Sequence, residues 1–148
     1  GFPVSDRQLC ELGWNDRMKA HEWVQTRAAA DAGVEHQHTA PLAYFETMAQ
    51  YRFVICPFGS GIQSNKFFEA LLVLTVPIVR RIGPVSLYDD LISYGFPVLV
   101  VDDWANITAE RVNDYWKSVA PALPRIRQRC LTVDGFWRIF TGANHSCL

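Results

Sequence analysis

The chain has 148 residues, a length that fits one domain or part of one. With 14 Lys and Arg against 15 Asp and Glu, the formal net charge is −1, which excludes a generic polyanion binder built on a basic excess. Hydrophobic residues make up 49% and charged residues 20%, and five Trp, five Tyr and nine Phe supply core material, so the chain is not disordered. The longest apolar stretch, residues 70–79, contains Thr75 and Pro77 and falls short of the about 20 residues a membrane span needs. The opening Gly1-Phe2-Pro3 has neither an initiator Met nor a signal-peptide layout, and reads as a cut through a longer protein.

Residues 1–40 read as a helical lead-in. Ser5 caps a turn through Leu12, and Asn15 caps a second helix over 16–31 that Gly33 ends. Residues 34–40, with His36 and His38, form a polar connection. Pro41 suits a first helical position, and Leu42, Phe45, Met48 and Ala49 make one apolar stripe behind it. The character then changes. Phe53-Val54-Ile55-Cys56 is a short apolar run, best read as a buried strand. Pro57-Phe58-Gly59-Ser60-Gly61 is a glycine loop, and Ser64 caps a helix over 65–74. Residues 77–81 give a second strand, 84–93 a turn and short helix around Leu87, Leu91 and Ile92, and 97–101 a third strand. Thr108 caps a helix over 109–119 with Val112, Tyr115, Trp116 and Val119 on one face.

Short apolar strands alternating with helices predict an α/β fold, a parallel sheet with helices on its faces. The right-handed crossover rule stacks residues 41–120 as a Rossmann-like core. Residues 121–148 are a C-terminal helical segment. Pro124, Arg125, Arg127 and Arg129 begin a basic piece, too sparse for nucleic acid. Phe136, Trp137, Ile139 and Phe140 form an apolar patch that packs back on the domain or on a partner domain.

The four cysteines are Cys10, Cys56, Cys130 and Cys147, with no C-x-x-C spacing. Three complete pairings are open, and Cys56, in an apolar strand, reads as a buried free thiol. Asn106-Ile107-Thr108 and Asn144-His145-Ser146 are acceptor sequons, compatible with a secretory lumen.

The stretch from Tyr51 to Val79 carries the chemistry. It runs strand, glycine loop, helix, strand, and ligands of open parallel sheets bind beyond the carboxyl ends of strands. The glycines of Gly59-Ser60-Gly61 allow close approach to the backbone, and the next helix offers free N–H groups. Lys66 lies in its first turn, within reach of a phosphate, and Glu69 follows about one turn later on the same face. A cation near phosphate and a carboxylate near ribose hydroxyls make a nucleotide clamp. The alternative is a surface Lys66–Glu69 ion pair beside an ordinary turn.

Tyr51-Arg52-Phe53-Val54-Ile55-Cys56-Pro57-Phe58-Gly59-Ser60-Gly61-Ile62, Phe68-Glu69-Ala70-Leu71-Leu72 and Val76-Pro77-Ile78-Val79 resemble the donor-binding part of exostosin-like glycosyltransferases. Val100-Val101-Asp102-Asp103-Trp104 with Ile107-Thr108 resembles the segment that follows. The resemblance covers residues 44–116. It implies the C-terminal, nucleotide-sugar-binding half of a GT-B fold, probing for a UDP- or GDP-type donor and transferring its sugar to a hydroxyl of a glycan or protein acceptor, with inversion and no required cofactor or metal. It implies that Gly59, Ser60 and Gly61 face the diphosphate, that Asn65 and Lys66 occupy the family's His-Arg pair, and that Glu69 holds the ribose. It places the catalytic base on the other, N-terminal half or on the cleft wall facing it, so that this segment alone is inactive, and, for a eukaryotic family member, the protein in the Golgi lumen. Lys66 lacks the arginine's planar fork, Gln63 stands where an aspartate is frequent, Phe68 replaces tryptophan, and Leu74-Thr75 replace a small Gly-Cys-like pair. These departures keep a second reading in play, a non-catalytic Rossmann-like binding module degenerate at the donor motif.

Arg80, at a strand end beside Arg81, is a further phosphate candidate, with surface solvation as its alternative. His36 and His38 supply only two ligands, short of a zinc site. Asp102-Asp103 reads as a capping loop, Asp89-Asp90 as a solvated helix face, and Trp104 and Trp116 as core.

Overall fold

The structure, a computed structural model, describes residues 6–59, 65–82, 87–143 and 146–147. The proposed cap Ser5, the loop residues Ser60 and Gly61, the cap Ser64 and the sequon residue Asn144 lie outside the described residues.

The fold is α/β. Three strands, β1 (Phe53–Ile55), β2 (Val76–Arg80) and β3 (Leu99–Val101), form a parallel sheet in the order β1-β2-β3. Ile78 pairs with Ile55 on one side and Leu99 on the other. Pro77 is tolerated in the central strand because its missing N–H faces the side where β3 has not yet begun. The helices are α1 (Asp6–Trp23), α2 (Arg27–Asp31), α3 (Tyr44–Met48), α4 (Asn65–Leu72), α5 (Leu87–Ser93), α6 (Ala109–Val119), α7 (Leu123–Cys130) and α8 (Val133–Phe140).

The sheet separates two apolar clusters. On one face Cys56, Val79 and Val98 meet Phe67 and Leu71 of α4, Tyr88 and Leu91 of α5, Ile126 of α7 and Ile139 of α8. On the other, Ile78, Leu99 and Val101 meet Ala20 and Trp23 of α1, Ala29 of α2, and Trp104 and Ile107. This is the Rossmann-like three-layer arrangement the alternating pattern predicts.

Local signals explain several boundaries. Thr108 accepts from Arg111 N at 3.2 Å and caps α6 at the predicted residue. Tyr115 Oη donates to Val98 O at 2.8 Å and accepts from Val98 N at 3.0 Å, fastening α6 to the start of β3. Asp103 caps the 3-10 turn Trp104–Asn106, accepting from Ala105 N at 2.9 Å, as read from the sequence. Trp104 is in the core, 2% exposed.

Other expectations need correcting. Residues 6–23 form one helix, so Asn15 lies inside α1 and does not cap; Thr26 caps the separate α2 instead. Gly13, Asp16, Ala20 and Trp23 recur at helical spacing and are buried as one stripe. The predicted stripe on α3 is buried only at Met48. Leu42 and Phe45 face solvent, because α3 is a single short helix after the 3-10 turn Pro41–Ala43. Asp89 is not merely solvated, for its carboxylate takes a two-bond fork from Arg81 at 2.8 and 2.9 Å. The C-terminal patch divides. Ile139 enters the core and Phe136 packs edge-on against Phe68, while Trp137 and Phe140 stay exposed.

None of the three complete pairings forms: one disulfide, Cys130–Cys147, is made, with Cα atoms 5.7 Å apart. Cys56 is a buried free thiol, as expected, and Cys10 is free and exposed.

Candidate functional site

The predicted residues fall into two neighbourhoods at the carboxyl end of the sheet. The first is a buried hub on α1. Asp16 is fully buried and reaches the segments that follow all three strands. Its Oδ2 accepts from Phe58 N at 2.7 Å, after β1; its Oδ1 accepts from Arg80 Nε at 2.5 Å, at the end of β2, and from Trp104 Nε1 at 3.1 Å, after β3. Gly13, one turn earlier, lets α1 settle on the loop. A Cβ there would stand 2.0 Å from Gly59 O. Gly59 is itself buried. Two predicted phosphate contacts, Gly59 and Arg80, are thus packed against or bonded to α1.

The second neighbourhood centres on α4. Asn65 opens the helix and is exposed, and Lys66 follows in its first turn. Among the described residues Lys66 forms no hydrogen bond or ion pair, so the Lys66–Glu69 pair is not formed. Lys66 lines a cleft of about 550 Å³, together with Pro57, Tyr44 and Arg17. That volume is within the range of small-molecule sites. Glu69, one turn along, accepts from Tyr44 Oη at 3.1 Å through Oε2. Burial, and then the bond to Glu69, push the Tyr44 phenol up to about 12, so Tyr44 remains a donor at neutral pH. Beneath them the Cys56 thiol is pushed up to about 12, chiefly by burial, with Lys66 opposing and Glu69 reinforcing. That thiol is not a nucleophile at neutral pH.

The structure therefore places Asn65, Lys66 and Glu69 on one helix, of which Lys66 lines the cleft, while Arg80 is paired with Asp16. Sequence reasoning missed Asp16, Tyr44 and Arg17, all joined to the site only through tertiary contacts. His36 stacks edge-on against His21 at 5.5 Å between ring centroids, also at the cleft. Among the described residues no group of three or more His, Cys, Asp or Glu could hold a metal ion, and no helix is long and apolar enough to cross a membrane.

The fold and cleft define an α/β protein with a Rossmann-like parallel sheet and a candidate ligand site beside the end of β1. Compared with protein-family models, curated proteins and solved structures, the chain matches none.

Proposed function

We propose that the chain is the nucleotide-sugar-binding half of a GT-B glycosyltransferase of the exostosin-like kind. One observation carries this reading. Lys66 has no partner among the described residues and opens, from the first turn of α4, onto a cleft of about 550 Å³ that begins at the carboxyl end of β1. In this reading the Lys66 ammonium and the α4 N–H groups face a UDP or GDP diphosphate and stabilise the negative charge that grows on it as the glycosidic bond breaks. Glu69 binds the ribose hydroxyls. The Tyr44 bond to Oε2 fixes the carboxylate and leaves Oε1 for the ligand. The reaction is inverting and metal-independent, and the acceptor, a glycan or protein hydroxyl, is activated by the N-terminal half. The Cys130–Cys147 disulfide supports a secretory, Golgi-lumen setting, because such bonds persist in oxidising compartments.

A second reading, a non-catalytic binding module, is favoured by the engagement of Arg80 with Asp16 and of Gly59 with Gly13. Calorimetry separates the two. On the donor reading, UDP or GDP binds the chain, and Lys66→Ala and Glu69→Gln each weaken binding about tenfold or more, whereas Lys117→Ala, in an exposed pair with Asp114, does not. Failure of both nucleotides to bind, or equal binding by all variants, refutes it.

A further inference from the structure

The first strand of the sheet is in the wrong environment for its sequence. Phe53-Val54-Ile55 is apolar on both faces, the pattern of a strand inside a parallel sheet. Yet β1 is an edge, and all three residues are only half-buried, whereas four of five residues of β2 are buried. The hydrogen bonds define which way the edge points. Val76 N donates to Arg52 O at 2.9 Å and Cys56 N donates to Ile78 O at 2.8 Å, so residues 52, 54 and 56 direct their N–H and C=O groups at β2. By alternation Phe53 and Ile55 direct theirs outward. Among the described residues nothing meets them, and they open on the cleft.

The cleft lies along the β1 edge, with Phe53, Val54 and Ile55 in its lining. Ala20 of α1 with Val24 just after it, the connection 32–37, and Thr47 and Met48 of α3, the helix whose Tyr44 bonds α4, line it around the β1 edge. A doubly wound sheet of order 3-2-1-4-5-6 is two three-strand units joined through their first strands, and its ligand crevice lies at that junction. Here the consecutive order β1-β2-β3 leaves its first strand free, with Lys66 beside the carboxyl end.

The geometry points to the β1 edge as the seat of one further parallel strand, an extended apolar segment of a second α/β unit. Its backbone bonds Phe53 and Ile55, its side chains fill the cleft against α1 and α3, and its carboxyl end completes the crevice in front of Lys66. This deepens the donor-site reading by naming the partner of that site, and its geometry stands without the nucleotide. Exposed Leu42 and Phe45 on and before α3 extend the apolar rim for such a unit. The charge around the cleft favours an acidic flank. Arg17, Arg52 and Lys66 line it, and the one carboxylate lining it among the described residues, Glu35, is bonded to Tyr51 Oη at 2.6 Å.

The test uses the chain with a synthetic strand of about five Val, Ile and Leu residues flanked by glutamates. Amide exchange at Phe53 and Ile55 should slow about tenfold or more on saturation, with Val54 and Cys56 unchanged. The same peptide N-methylated at alternate residues should not bind. Ile55→Pro should stay folded, since the lost N–H faces outward, and should lose the peptide. Slowing of all four amides alike, binding of the methylated peptide, or self-association of the chain through this edge in sedimentation would each overturn the proposal. Peptide binding without UDP or GDP binding would sink the donor reading alone, and nucleotide binding with no peptide effect would sink this inference alone.

Discussion

Replacing Asp16 with alanine tests whether one carboxylate ties the three strand ends to α1. Asp16 is 0% exposed and serves three donors: Phe58 N, Arg80 Nε and Trp104 Nε1. Removing it leaves the Arg80 guanidinium, whose side chain is 16% exposed, without its counter-charge. Breaking a buried ion pair from one side costs about 3–5 kcal/mol. Each orphaned neutral donor adds about 1–3 kcal/mol where water cannot reach it. A domain of this size is stable by only about 5–15 kcal/mol, so the change is a large fraction of the total. It corresponds to a fall in Tm of about 10 °C or more. Asp16→Asn keeps the shape and grades the effect. With its oxygen kept at the Oδ1 position for Arg80 and Trp104, its NH₂ faces the Phe58 N–H, donor against donor, and that bond is lost at about 1–3 kcal/mol; Arg80 keeps a hydrogen bond but loses its counter-charge, so the total falls between this one bond and the alanine effect. Urea unfolding of both variants, beside Asp134→Ala, gives the comparison. Asp134 forms an exposed 2.8 Å pair with Arg138, and its removal should change stability by about 0.5 kcal/mol or less. An Asp16→Ala protein within about 1 kcal/mol of the parent, with an unchanged denaturant slope, refutes the hub.

Four further outcomes are expected. Leu74 has φ +64°, a left-handed conformation that glycine adopts freely, so in Leu74→Gly the relieved strain should offset the lost half-buried side chain and leave stability within about 1 kcal/mol of the parent in urea unfolding. Cys56, Tyr44 and Tyr88 are each pushed up to about 12, burial being the largest cause in all three; the folded state then holds more protons than the unfolded one, and Tm should fall as pH rises from about 9 toward 12 while staying flat in this respect below that window. The Cys130–Cys147 bond spans 17 residues, so the double serine variant should lose about 3 kcal/mol; in secretory expression Asn106, exposed with its Oδ1 accepting from Asp103 N at 2.9 Å, should carry a glycan that Thr108→Ala abolishes and peptide mass mapping reads.

The parts legible from the sequence are those whose causes are local. The three strands are short apolar runs bounded by Pro, Gly or a cap, and α6 begins where Thr108 supplies an oxygen to Arg111 N. α1 was illegible for a physical reason. Gly13 and Asn15 are weak helix formers and read as punctuation, yet Gly13 is needed where α1 meets Gly59 O, and Asn15 simply faces solvent. The one-turn α3 carries a stripe that no neighbour covers at Leu42 or Phe45. Lys66 and Glu69 were visible as a pair on one helix, but the Tyr44 bond crosses 25 positions and the Asp16–Arg80 pair 64, distances over which no periodicity informs. The substitution of Leu74 for a small residue was legible as a departure. Its cost comes from backbone conformation more than from bulk, since its side chain is only half-buried.

Arg80 and Lys66 then separate stability from binding. Both were phosphate candidates, but they stand in different electrostatic states. Arg80 already gives its charge to buried Asp16; to turn its Nε to a diphosphate it would leave that carboxylate with only the Phe58 and Trp104 donors. That rearrangement costs several kcal/mol, which the ligand would have to offset before any affinity appeared. Lys66 needs no such exchange, because no described residue holds it. Arg80→Met should therefore lower the urea midpoint strongly while leaving nucleotide affinity of the folded fraction within about twofold. Lys66→Ala should do the reverse, with the midpoint nearly unchanged and affinity down about tenfold or more. If Arg80→Met instead abolishes binding in a protein of undiminished stability, the guanidinium is a ligand contact and the Asp16 pair is a resting state that the nucleotide opens.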